Sequence, residues 1–384
     1  MTVTAPPLHP PARDRSPRRS LGAALAGRDN ALNFVRLVLA SSVIIGHTWP
    51  LGGFGSSAWE GISGAAVNGF FVISGYLVAG SRVRGAFAPY LWRRALRILP
   101  AFWVCLLLVA FVFAPVSLLF TGGSYDLGSA LAYVGRNAGL WISQWGVDGT
   151  LENVPYGGAW NGSLWTLAYE FAAYLAAGAL LTLPFVRRRP VPWIALALAA
   201  LLIVQVFARG PLDVTTNIYL HIMRLGGFFL AGMLLWALRD RLRVSALWGV
   251  LSIVTVVMCS QLPEPFYYSL AAVPMAYAML WLGAALPVRV GAVNDISYGI
   301  YIYAFPVQQL LAAAGAPGML GFWGYAVVAW LLTLPLAWAS WTLVERPAMR
   351  WKYLVPGSKP LEGAGYLHVA REGHHLAQRH AAVE

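Results

Sequence analysis

The chain has 384 residues, 59% of them hydrophobic and only 11% charged, with a positive mean hydropathy, a composition that excludes an ordinary water-soluble globule. Its formal net charge of +12 would suggest nucleic acid as a partner if it were spread over a soluble surface. The basic residues instead flank apolar segments, which argues against nucleic acid.

The first 30 residues place Arg13, Arg15, Arg18 and Arg19 among prolines and are expected to form a disordered arm. No cleaved leader is expected, because the apolar run 21–26 is short and the next one carries Arg36 and His47. Apolar stretches near bilayer length follow at 32–50, 65–80, 98–120, 163–183, 193–208, 221–238, 246–262, 267–286, 296–314 and 322–344. If the N-terminus is inside, inside segments hold 23 of the 27 Lys and Arg residues, outside segments hold Arg136 and Arg209, and Arg36 and Arg224 lie within spans. This asymmetry predicts an all-α polytopic membrane protein, a bundle of about ten transmembrane helices over 31–350 with both termini cytoplasmic. The outside segment 121–162 carries Tyr133, Trp141, Trp145 and Trp160, which suits either a re-entrant cap over a pocket or an aromatic belt at the headgroups. The tail 351–384 lacks helical periodicity and is expected to be flexible and cytoplasmic, with His374, His375 and His380 solvated rather than metal-binding. Cys105 and Cys259 sit in separate spans and imply no disulfide framework.

A charge retained in hydrocarbon costs several kcal/mol, so intramembrane ionisable residues are functional candidates. Arg36 and His47 share the first helix eleven positions apart, which puts them on one face about 16 Å apart along the axis. They form a polar track, unless each snorkels to its nearer headgroup layer. Glu170 is the one carboxylate of fifteen well inside a span, close to the depth of His47. Paired with His47 it would fix the imidazole tautomer and leave the other nitrogen as a base; the alternative is an ion pair with Arg224. On the inner side Arg82, Arg84, Arg93, Arg94 and Arg97 crowd together. Arg94 and Arg97, at i and i+3, would present two forks to one phosphate, or else serve anionic lipid.

These residues carry a resemblance to the membrane acyltransferase-3 family, bacterial enzymes that acylate hydroxyls of extracytoplasmic carbohydrates. Arg36 and His47 resemble its basic-x10-His element, and Gly69-Phe70-Phe71-Val72-Ile73-Ser74-Gly75-Tyr76 its second-helix motif. Arg94 to Arg97 matches its Arg-x-x-Arg segment, Ser163-Leu164-Trp165-Thr166-Leu167 with Glu170 its Ser-Leu-Trp block, and Ile296-Ser297-Tyr298-Gly299-Ile300-Tyr301 a late helix, closed by Glu345-Arg346-Pro347. Two departures stand out: Asn68 where many relatives have Asp, and Ala304 where many have His, so neither is expected to carry obligatory proton chemistry.

The resemblance implies acyl transfer from acyl-CoA, acetyl-CoA in the first instance, as co-substrate, with no bound cofactor and no metal. Arg93, Arg94 and Arg97 would hold the CoA phosphates, and the thioester arm would pass Arg36. His47 would serve as general base or acyl relay with Glu170 behind it. Asn68, Ser74, Trp165 and Tyr301 are the substrate or oxyanion candidates. The implied partners are a carbohydrate acceptor and the lipid bilayer, in a bacterial inner membrane. The rival class is a proton-coupled transporter or exporter of a glycan-type solute, since relays also use intramembrane ionisable residues. No inverted repeat supports that rival, and a non-catalytic scaffold for polysaccharide assembly would tolerate loss of His47. Acyl-CoA-dependent labelling of a surface glycan separates the three.

Overall fold

Helix is the only extended regular structure in the computed structural model, which describes residues 19–55, 61–209, 216–291 and 294–355. In chain order the helices are α1 Leu21–Ala24, α2 Leu32–Gly52, α3 Gly61–Val83, α4 Phe87–Leu108, α5 Ala114–Thr121, α6 Leu127–Asn137, α7 Trp165–Leu180 and α8 Pro184–Arg188. They continue as α9 Pro190–Arg209, α10 Asn217–Leu238, α11 Ala246–Cys259, α12 Glu264–Ala285, α13 Ser297–Ala313, α14 Ala316–Ala339 and α15 Arg346–Ala348. A helix satisfies every internal backbone group within its own segment, which is what an apolar chain in lipid requires.

Among the described residues seven helices are long and apolar enough to cross a membrane. One is a continuous rod, Phe87–Thr121, in which α4 and α5 join through a π-helical turn, Val109–Phe113. The turn lies just ahead of Pro115, which has no N–H to return to the preceding turn. A second π-turn, Ser340–Glu345, stands ahead of Pro347 in the same way. The helix that carries the third apolar stretch starts at Phe87, so Arg93, Arg94 and Arg97 lie on the helix itself, ahead of its apolar part.

Three of the expected spans form shorter helices: α7 has 16 residues, α11 has 14 and α13 has 17. The case of α13 has a clear cause. Every residue from Ser297 to Gln309 is buried, so this helix is solvated by protein and need not match the bilayer thickness. It lies against α2, α4, α5 and α14, while α2 also packs on α3, α12 and α14.

The crossing of α3 and α10 explains one motif. A Cβ on Gly75 would stand 2.0 Å from the Phe229 carbonyl oxygen, and one on Gly232 would stand 2.0 Å from that of Val72. The two backbones touch, and only glycine permits it, the small-residue packing common between membrane helices.

The last part of the expected arm, from residue 19, packs on the bundle. Leu21 and Leu25 are buried, Leu21 N donates to Leu242 O at 2.8 Å, and Val244 N donates to Arg19 O at 3.0 Å. Residues 1–18 of the arm, and 356–384 of the tail with its three histidines, lie outside the described residues. Segment 121–162 buries Tyr133 and Trp160 and leaves Trp141 and Trp145 exposed.

Candidate active site

The arginines expected at the inner end gather around Asp295, directly ahead of α13. Its Oδ2 accepts from the Arg36 guanidinium and, at 2.7 Å, from Arg97, while its Oδ1 takes the Ser297 hydroxyl at 2.6 Å and the Ser297 N–H at 3.3 Å. Arg97 also donates to Glu345 Oε2 at 2.7 Å, and Glu345 Oε1 accepts from Ser340 at 3.1 Å. The Arg97 guanidinium lies over Tyr298 and Trp341, 5.7 and 5.6 Å from their ring centres. Burial alone would raise the Asp295 carboxyl, but the Arg36 and Arg97 charges and the Ser297 hydrogen bonds outweigh it and hold the group at about 2. Two guanidiniums and two carboxylates thus neutralise one another where α2, α4, α13 and the end of α14 meet.

One turn away on α4, Arg94 is differently placed. Its guanidinium carbon lies 5.7 Å from the Tyr174 ring centre, and its buried Nε has no hydrogen-bond partner among the described residues. The Tyr174 hydroxyl donates to Glu170 Oε1, which also accepts from Ser74 at 2.7 Å. Helices α3, α4 and α7 therefore place Arg94, Tyr174, Glu170 and Ser74 in one row.

His47 sits on the half of α2 remote from Arg36. Its ring meets the edge of Phe305 at 5.1 Å, and its buried Nδ1 has no hydrogen-bond partner among the described residues. The helix around it is fixed by Gln308, whose Nε2 donates to Ile44 O at 3.0 Å and Thr48 Oγ1 at 3.2 Å. Phe305 is pressed by the chain ahead of α7, where a Cβ on Gly162 would stand 2.5 Å from its ring. That chain is pinned to α13 by Asn161, whose Nδ2 donates to Ile302 O at 2.8 Å.

The sequence expectations are corrected at several points. Glu170 is bound by Ser74 and Tyr174, so it neither orients His47 nor pairs with Arg224; matched depth fixes one coordinate of a helix residue and leaves its direction open. Arg224 donates to Asn68 Oδ1 at 2.9 Å and Gly64 O at 2.8 Å, and stacks on Tyr268 at 4.7 Å. Arg94 and Arg97 do not offer paired forks, because Arg97 spends its terminal nitrogens on Asp295 and Glu345. Arg36 ends on Asp295 rather than along a track to His47. Two oxyanion candidates are also engaged, the Ser74 hydroxyl on Glu170 and the Tyr301 hydroxyl on Thr166 at 2.6 Å and Ser163 O at 3.0 Å, while Asn68 accepts from Arg224 through Oδ1 and its buried Nδ2, the atom able to donate, has no hydrogen-bond partner among the described residues. The Trp165 ring lies 4.2 Å from His221. Arg93 stays beside Arg94 on α4. The sequence reading missed Asp295; its one signal is that an arginine inside a span calls for a carboxylate on the same side. Among the described residues no group of three or more His, Cys, Asp or Glu side chains forms a metal site.

Residues 29–342 match the model of a family described as the acyltransferase domain. Two curated relatives align over most of the chain. An O-acetyl transferase of Shigella phage Sf6 is 26% identical over 83% of this chain and 96% of its own length. Nodulation protein 10 of Rhizobium leguminosarum bv. viciae is 29% identical over 85% of this chain and 94% of its own. No solved structure matches.

Proposed function

The chain belongs to the acyltransferase domain family, and from that membership we propose that this enzyme moves an acyl group, acetyl in the first instance, from acyl-CoA to a carbohydrate hydroxyl across a bilayer. The relative that carries the name O-acetyl transferase supports both the oxygen acceptor and the acetyl group. The seven long apolar helices, with α7, α11 and α13 as shorter companions, support a multi-pass bundle of ten membrane helices. Its basic loops face the cytoplasm of a bacterial inner membrane.

One observation carries the assignment of roles. Among the described ionisable side chains only His47 and Arg94 keep a buried nitrogen without a partner. Such an atom costs roughly 1–3 kcal/mol, so a fold that satisfies Arg36, Arg97 and Glu170 internally retains these two for groups that arrive with substrate. Arg94 takes a phosphate oxygen of CoA at the inner end, where the guanidinium is already set over Tyr174. The pantetheine arm then runs outward along α2, whose rise of about 1.5 Å per residue matches an extended chain between the two ends.

His47 removes the acceptor hydroxyl proton as its oxygen attacks the thioester carbonyl. The carbon–oxygen bond forms, the carbon–sulfur bond breaks, and the proton passes from the imidazole to the departing CoA thiolate. Arg36 and Arg97 act at one remove, by holding α2 and α4 in register through Asp295. Purified protein in nanodiscs tests the assignment. Arg94→Gln should raise the KM for acyl-CoA, while His47→Ala should remove turnover from a folded protein; wild-type turnover in His47→Ala refutes the role of the histidine.

A further inference from the structure

We propose that a cleft walled by Trp141, Trp145, Trp165, Tyr169, Asn217 and His221 is the subsite that grips the sugar rings of the acceptor, a neutral stretch of pyranose glycan. This rests on the carbohydrate reading above and adds the place and character of the contact. The cleft measures about 290 Å³ and lies where the strip 141–145 meets the first turns of α7 and α10.

Its walls form a connected aromatic array. The Trp165 ring stands 4.2 Å from His221 and 5.5 Å from Tyr169, and Tyr169 in turn stands 6.4 Å from Trp141. A pyranose has an apolar face of C–H groups and a rim of hydroxyls, so it stacks on such rings while its edge reaches the polar atoms of Asn217. No Lys, Arg, Asp or Glu lines the cleft, which selects against an anionic sugar segment.

A headgroup belt is the rival reading, and the framing of the strip argues against it. Trp141 and Trp145 remain 52% and 41% exposed although the backbone that carries them is tightly held. Asn137 closes the loop through its side chain, with Nδ2 donating to Gln144 O at 2.7 Å and Oδ1 accepting from Ser143 N at 2.9 Å and Gln144 N at 3.1 Å. Gln144 Nε2 reaches Ser129 O at 2.9 Å and Gly146 O at 3.0 Å, and Trp160 N donates to Trp145 O at 2.8 Å. Leu140 enters the strip at φ 70°, a conformation that L residues with a β-carbon avoid. Anchoring at an interface needs none of this, whereas a preorganised binding platform does.

The chain also links the cleft to His47: Gly162 packs on Phe305, the ring beside His47, and Trp165 follows three residues later, so the Cα atoms of Gly162 and Trp165 lie no more than about 11 Å apart.

The test uses the full chain in nanodiscs and neutral tetrasaccharides of glucose, galactose and N-acetylglucosamine. Binding is read by saturation-transfer NMR, and rates are measured with the tetrasaccharide that binds best. Trp141→Ala and Trp145→Ala should each weaken binding about tenfold and raise the acceptor KM in proportion, leaving the KM for acyl-CoA unchanged. Trp145→Phe keeps an aromatic face and should restore most of the binding, which guards against a variant that merely folds poorly. His47→Ala should bind sugar as the wild type does. Unchanged binding and KM in both alanine variants overturns the subsite, as does failure of the wild type to bind any of the three sugars. Sugar binding that depends on Trp145, without acyl transfer by the wild type, would instead leave the subsite standing and remove the enzymatic reading.

Discussion

Replacing Asp295 by Asn probes the inner charge cluster. The carboxylate is shared by Arg36 and Arg97, and the three side chains retain only 15–20% exposure. Without its charge Arg97 keeps Glu345 at 2.7 Å, but Arg36 loses its counter-ion. Breaking a buried pair costs about 3–5 kcal/mol, and the residual exposure points to the lower end, ~3 kcal/mol. At roughly 2–4 °C per kcal/mol the thermal midpoint should fall by ~6–12 °C. Cys105 and Cys259 are free and buried, so a thiol-reactive dye in detergent reports the unfolding without added labels. Arg36→Gln in the Asp295→Asn background should recover part of the loss, because no unpaired charge remains. Since the Asp295 carboxyl is held at about 2, below its unfolded value of about 3.9, its contribution is complete above that unfolded value and is lost only as pH falls toward the folded one. The wild-type minus Asp295→Asn difference should therefore be flat between pH ~5 and ~8. A variant with the wild-type midpoint, or single losses that add in the double variant, would refute the cluster.

The two arginines of α4 should separate: Arg94→Gln raises the KM for acyl-CoA about tenfold or more with kcat changed little, whereas Arg97→Gln lowers folded yield, as acyl-CoA kinetics and size-exclusion profiles will show. Glu170→Gln should cost about 1–3 kcal/mol of stability by weakening the bonds from Ser74 and Tyr174, yet leave the basic limb of the pH–rate profile in place. A shift of that limb would restore the carboxylate–imidazole pairing that the geometry denies. Gly75→Ala should destabilise by about 1–3 kcal/mol, because its Cβ would lie 2.0 Å from the Phe229 oxygen; an unchanged midpoint would mean that α3 and α10 can part without cost.

Hydropathy located the helices because a membrane segment must be both apolar and helical, and each expected apolar stretch coincides with one. It misjudged extent where the neighbour is protein: α13 is enclosed from Ser297 to Gln309, and an apolar run reads alike beside Leu or beside lipid. The motif around Gly75 was visible as letters, but its cause, contact with the Phe229 backbone, lies on another helix. The counter-ions of Arg36 and Arg97 were invisible for the same reason, since Asp295 and Glu345 are far along the chain and join them only in the fold. His47 stood out in the sequence because its retention in a span requires a reason, and among the described residues its buried Nδ1 has no hydrogen-bond partner.

The most direct measurement gives proteoliposomes acetyl-CoA labelled in the acetyl group on one face and a carbohydrate acceptor on the other. The wild type should place the label on the carbohydrate in an alkali-labile ester. Folded His47→Ala should place none. Equal labelling by the two proteins would contradict a transfer centred on His47.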